Sequence, residues 1–248
     1  MRAQITAGLA ELAALALPAT CASCGAADHA VCRECRDEVS AAVWAGGPRL
    51  VQPRPRPPGL PQVWATAPYG GALGRLVTAY KDDDRRDVRT ELTPLLTAAV
   101  DAALAGAEAT LRTLARGDGP VLLVPAPTSR AARRRRGDAP LLALARSATA
   151  GYADTEVVCA DALRLRRRVA DQAGLTARQR QANLDHAIEV RPRWAATVVG
   201  APCLLVDDVL TTGATLVEAA RALRRAGASD VVAATICATA RRPRRTSS

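Results

Sequence analysis

The sequence predicts an α/β protein: a doubly wound, mostly parallel sheet preceded by a small cysteine-rich module. Three observations carry this expectation. Across 63–240, short apolar runs bounded by Gly and Pro alternate with segments of helical periodicity, and strands that alternate with helices pair in parallel beneath their crossovers. One run ends in adjacent aspartates, followed by a loop of threonines and one glycine and then by a helix. Four cysteines in two Cys-x2-Cys pairs stand ahead of the whole segment.

Composition bounds the partners. The 248-residue chain is 49% apolar, enough for a sizeable core. Phe is absent, and Lys81 is the only lysine, so nearly all positive charge is arginine. With abundant alanine, this reads as drift in a GC-rich genome and weakens basicity as a sign of nucleic-acid binding. The net charge of +10 still attracts anions. An aromatic content of 2% leaves few platforms for base stacking, so phosphorylated metabolites are the first expectation.

Residues 1–45 hold a helical start and the cysteines. The opening MRAQITAGLAELAALALP resembles an export signal, but Glu11 interrupts its apolar stretch. No apolar run reaches the ~20 residues that span a bilayer. A short amphipathic helix ending near Pro18 is expected, in a cytoplasmic protein with reduced thiols and no membrane span. Residues 46–62, GGPRLVQPRPRPPGLPQ, read as an extended, proline-rich linker. The α/β domain covers 63–240, and 241–248, RRPRRTSS, is a basic tail.

Within the domain, PVLLVPAP (120–127) reads as a buried strand. Helical composition follows, broken near Gly137 and Pro140. The segment 163–190, with many arginines and a turn-prone Gly174, is either a mobile hood over the site or a solvated helix–loop; its His186 reads as structural. APCLLVDDV (201–209) is a second buried strand, and DVVAATICATA (230–240) a third. Between them, ATLVEAARALRRAG (214–227) is a helix with Leu216, Ala220 and Leu223 on one face and Gly227 at its C′ position. Cys159, Cys203 and Cys237 stand apart in apolar contexts and read as core thiols.

The stretch CLLVDDVLTTGATL (203–216) carries the chemistry. Backbone N–H groups at a helix N-terminus lack intrahelical acceptors and favour a phosphate. Thr211, Thr212 and Thr215 add hydroxyl donors, while Gly213 lets the backbone approach the anion closely. Carboxylates accept only, and a vicinal diol offers two donors; Asp207 and Asp208 therefore suit a ribose whose 5-phosphate sits in the loop. LLVDDVLTTGATL resembles the signature of type I phosphoribosyltransferases. That resemblance implies a fold of this family and 5-phosphoribosyl diphosphate as ligand. It gives ribose contacts, and the catalytic role, to Asp207 and Asp208, and phosphate contacts to Thr211, Thr212, Gly213, Ala214 and Thr215. For the diphosphate side, Arg130, Arg133 and Arg134 follow the first strand and suit phosphate forks, or else form a solvated helix face.

Cys21, Cys24, Cys32 and Cys35 match a tetrahedral zinc site with every position taken, hence structural. Two metal-free reduced pairs, or a redox pair, are the alternatives, and His29 is an alternative ligand within the loop. The order of LPATCASCG, VCREC, Tyr69-Gly70-Gly71 before a helix reaching Lys81, VLLVPAP, the arginine-rich segment, QAGLTARQRQANL and LLVDDVLTTGAT resembles ComF-family proteins. In that family an aromatic-Asn pair follows the RRRG; here Asp138-Ala139 do, and DDDRRD follows Lys81. The resemblance implies association with DNA uptake and a helicase or channel partner. Three functions compete. One is a phosphoribosyl transfer enzyme using Mg2+ carried on its substrate. Another is a non-catalytic phosphoribosyl diphosphate or nucleotide-binding accessory factor, and the third is a zinc- and arginine-bearing nucleic-acid adaptor. No glutaminase half is visible.

Overall fold

The computed structural model describes residues 20–107, 119–127, 139–153, 156–166 and 187–239. The expected N-terminal helix, Arg130, Arg133 and Arg134, the 167–186 part of the hood and the basic tail lie outside the described residues.

Eight strands and six α-helices follow in order among the described residues. They are α1 (Arg33–Ala42), β1 (Arg49–Val51), β2 (Val63–Pro68), α2 (Gly71–Asp82), α3 (Arg89–Gly106), β3 (Val121–Pro125), α4 (Pro140–Thr149), β4 (Val157–Cys159), β5 (Leu163–Leu165), β6 (Ile188–Val190), α5 (Ala195–Val198), β7 (Pro202–Leu210), α6 (Ala214–Arg225) and β8 (Asp230–Ala238). The main sheet has the order β1-β2-β8-β7-β3-β4, and only β1 runs antiparallel to its neighbour. β5 and β6 form a separate antiparallel hairpin.

The central strands are largely apolar because both faces are covered, and strand periodicity divides each of them between two cores. Leu123, Leu204, Val206, Val232 and Ala234 face one core, built with α1 to α4. Leu122, Val124, Cys203, Leu205, Val231 and Ala233 face the other, built with Leu216, Ala219, Ala220 and Leu223 of α6. The sheet is therefore doubly wound, as the alternation of runs implies. The helix after the arginine-rich segment starts with Pro140 at its first turn, where a missing N–H costs nothing.

The segment 46–62, expected to be an extended linker, contributes β1 as an edge strand and buries Leu60 in the α6 core. The cysteine module also shares a core with the domain: Cys21, Val31, Cys32, Cys35 and Val39 belong to the same cluster as Leu73, Leu76 and Leu92. Polar contacts reinforce this junction. Glu38 of α1 accepts the Ala72 N–H at 2.8 Å and pairs with Arg75 at 3.3 Å, and Arg75 Nε donates to Ser23 at 2.9 Å. A carboxylate supplied from another helix thus meets an otherwise unpaired donor in the first turn of α2. Gly71 makes the approach possible: its φ is 53°, and a Cβ there would collide with Glu38 Oε1.

The hairpin β5–β6 is fastened to α6 by one buried acid. Glu218 accepts the Ile188 N–H at 3.0 Å, and Arg221 donates to it at 2.6 and 2.8 Å while also reaching the Ile188 carbonyl. Glu218→Ala withdraws that acceptor from both donors. We expect a loss of about 1–3 kcal/mol, read by urea unfolding, with faster amide exchange at Ile188; an unchanged midpoint would contradict the assignment.

Candidate functional site

The connections define where a ligand crevice must lie. From β3 the chain crosses through α4 to β4 on one side, and from β7 it crosses through α6 to β8 on the other. The winding reverses between β3 and β7, and in open α/β sheets ligands bind beyond the carboxyl ends at such a point. Asp207 and Asp208 stand at that end of β7.

Both carboxylates are tied to the backbone that follows them. Asp207 Oδ1 accepts the Asp208 N–H and Asp208 Oδ1 accepts the Val209 N–H, each at 2.9 Å. Asp208 Oδ2 receives Lys81 Nζ at 2.6 Å from the last turn of α2. Burial works against the Lys81 ammonium, but the charges of Asp208 and Asp207 outweigh it and raise its pKa above the ordinary lysine value. For Asp207 the balance goes the other way. Burial and the neighbouring Asp208 charge push it up to about 8, with Lys81 offsetting only part.

The loop beyond the acids turns sharply into α6. Gly213 holds the N-cap position at φ 79°, where a Cβ would stand 2.8 Å from Leu60 Cδ1. Left-handed backbone and tight packing both require glycine there. Thr212 Oγ1 accepts the Ala214 N–H at 3.4 Å, and Thr211 is exposed at the rim. Asp207, Asp208, Thr211, Thr212, Gly213, Ala214 and Thr215 thus occupy one strand–loop–helix junction.

Lys81 is the member that sequence reasoning did not place in the site, although it had marked the residue as the only lysine. In a chain whose other cations are all arginine, a single retained lysine was the available signal. A compact ammonium fits beside one carboxylate where a planar guanidinium fork demands more room.

Residues 163–248 match the family model of the phosphoribosyl transferase domain. No curated protein is similar enough to match the chain. The matched phosphoribosyl transferase domain begins at β5 and takes in the β5–β6 hairpin, β7, the threonine–glycine loop, α6 and β8.

The four-cysteine cluster precedes this domain. The Sγ atoms of Cys21, Cys24, Cys32 and Cys35 lie within 4.8 Å of one another, and tetrahedral zinc–thiolate bonds place sulfurs about 3.8 Å apart. Three of the four are buried and Cys24 is exposed; His29 is exposed and outside the group. Burial raises the Cys21 thiol, yet N–H groups of Cys24, Cys32 and Ser23 outweigh it and bring it down to about 6. The donor set fits a metal that prefers thiolates, and four sulfurs leave no position for a substrate. Of the other thiols, Cys203 and Cys237 are buried and Cys159 is half-buried.

The raised Asp207 pKa makes a signed prediction. Below about pH 4 the group is protonated in both folded and unfolded chains. Between there and about 8 the folded chain holds more protons, so stability falls as pH rises through that window. In the ligand-free protein, Asp207→Asn removes this dependence and should raise the melting temperature at pH 8 more than at pH 5. Equal shifts at the two pH values would overturn it.

Proposed function

We propose that the β7–α6 junction binds 5-phosphoribosyl diphosphate and that the domain transfers its phosphoribosyl group to a nitrogen acceptor. The observation behind this reading is the combination of Asp207, Asp208 and Lys81 with a left-handed Gly213 at the N-terminus of α6. It stands at the reversal point of the sheet, inside a region matching a phosphoribosyl transferase domain.

In this reading the 5-phosphate lies on Thr211, Thr212, Gly213, Ala214 and Thr215, held by the first-turn N–H groups and hydroxyls. The ribose hydroxyls donate to Asp207 and Asp208. During transfer the bond between C1 and the diphosphate oxygen breaks and the acceptor nitrogen forms the new bond to C1. Diphosphate leaves with the electron pair. Lys81, half-exposed beside Asp208, adds positive charge next to the ribose as negative charge gathers on the leaving group. Asp207 and Asp208 would be the oxygen donors nearest a magnesium brought in on the ligand, which would supply neutralisation of the diphosphate charge. Arg130, Arg133 and Arg134 are proposed for the diphosphate side on the sequence alone.

The ComF-like order of motifs extends the proposal to a cytoplasmic accessory factor of DNA uptake with zinc in the cysteine module, acting with a helicase or channel partner. Among the described residues, no helix is long and apolar enough to cross a membrane.

Calorimetry with Mg·phosphoribosyl diphosphate tests the central claim. Asp208→Asn should cost about 1.5–3 kcal/mol of binding, and Gly213→Val should remove binding while circular dichroism stays unchanged. Wild-type affinity in both folded variants would refute the reading. Because the ribose donors favour ionised Asp207, binding at pH 7 should release protons and tighten from pH 6 to 8. For the metal, purified protein should carry one zinc per chain, measured by atomic absorption. Cys24→Ser should lose it, and zinc retained in a quadruple Cys→Ser variant would sink the assignment.

A further inference from the structure

A second concavity adjoins the phosphate loop on the side away from β3. It lies over the carboxyl ends of β2 and β8, where Pro68, Ala238 and Thr239 form its floor. Its volume is about 690 Å³, within the range of small-molecule sites. The segment 46–62 builds the outer wall, with Arg49, Gln52 and Arg54 among the lining residues.

The chemistry of this cleft is one-sided. Its lining includes two arginines and no carboxylate. Neither the Arg49 nor the Arg54 side chain makes an ion pair or hydrogen bond among the described residues. Arg49 is nevertheless held in place: its guanidinium lies 3.8 Å from the centroid of the Trp44 ring. That ring packs against the α6 core, and the Trp44 backbone N–H donates to the Thr66 carbonyl at 3.2 Å. A half-buried indole thereby keeps an exposed planar cation in the cleft, and guanidinium planes accept stacked bases. Arg54 supplies a further cation suited to phosphate. Thr211 and Thr239 add hydroxyl groups, and Thr211 also belongs to the phosphate loop.

We propose that this cleft is a second, separate nucleotide site, taking a nucleoside monophosphate with its base on the Arg49–Trp44 pair and its phosphate at Arg54. A simple anion would use the charge but leave the stacked pair without a role, and a neutral aromatic would leave Arg54 unmatched. The cleft borders the phosphate loop at Thr211, its lining otherwise coming from Trp44, the 46–62 segment and the ends of β2 and β8.

The probe is adenosine 3′-monophosphate, which has no 5-phosphate to place in the loop. Titration should quench tryptophan fluorescence saturably in wild type and in Asp208→Asn alike. Arg49→Ala and Arg54→Ala should each weaken it at least tenfold, Arg54→Lys should retain most of the affinity, and Trp44→Phe should remove the signal. Ribose 5-phosphate affinity, measured by calorimetry, should be the same in Arg54→Ala as in wild type. Absence of saturable quenching, indifference to both arginine variants, or equal binding of inorganic phosphate would each overturn the proposal. Loss of the quench in Asp208→Asn would place the probe in the loop and overturn it as well. If Asp208→Asn leaves phosphoribosyl diphosphate affinity unchanged, the transferase reading fails while the cleft stands.

Discussion

Two adjacent carboxylates at the end of a central, doubly covered strand are an electrostatic liability, and the arrangement around them answers it. Like charges this close raise one another's proton affinity, and burial adds to the effect. Asp207 bears that burden. Asp208 pairs with Lys81 at 2.6 Å, which sets the last turn of α2 against the end of β7. Tyr80, one residue earlier, donates to the Pro140 carbonyl at 2.8 Å and ties the same turn to α4. The last turn of α2 thus meets both the acids at the end of β7 and the start of α4.

The other end of α2 reaches the cysteine module. Glu38 lies one turn beyond Cys35 on α1 and accepts the Ala72 N–H. Arg36 of the same helix pairs with Glu91 of α3 at 2.7 Å, and Arg85 reaches the Ala30 carbonyl at 3.3 Å. The surface pairs among these contribute little singly, but the apolar cluster beneath them is continuous with the core under the sheet. A tetrahedral metal on Cys21, Cys24, Cys32 and Cys35 would stiffen α1 at its N-terminus and, through Glu38, the helix that carries Lys81. The module packs against α2 through this shared core and through Glu38.

The strand–acid–loop–helix junction was readable because every part of it is contiguous. Apolar run, acids, threonines, glycine and amphipathic helix occupy 203–227, and each has a local physical meaning. The buried strands at 121–125, 202–210 and 230–238 were readable for a similar reason, since both faces of each are covered and apolar residues dominate each run. Short or edge elements were not. β1 has three residues within a proline-rich stretch, and β4, β5 and β6 are equally brief; each depends on a partner strand that local pattern does not name.

The sequence by itself determined the class of sheet, the strand–acid–loop–helix junction and the four-cysteine cluster, because periodicity and spacing encode them within a few residues. The tertiary structure decided which distant groups complete them. Lys81 meets Asp208 across 127 positions of chain, Glu38 meets Ala72 across 34, and Glu218 meets Ile188 across 30. Such pairings depend on how helices cross the sheet, and a charge has no periodicity that announces its partner. Gly213 shows both levels at once: the turn into α6 calls for a glycine locally, and Leu60, folded back from the segment before β2, leaves no room for anything larger.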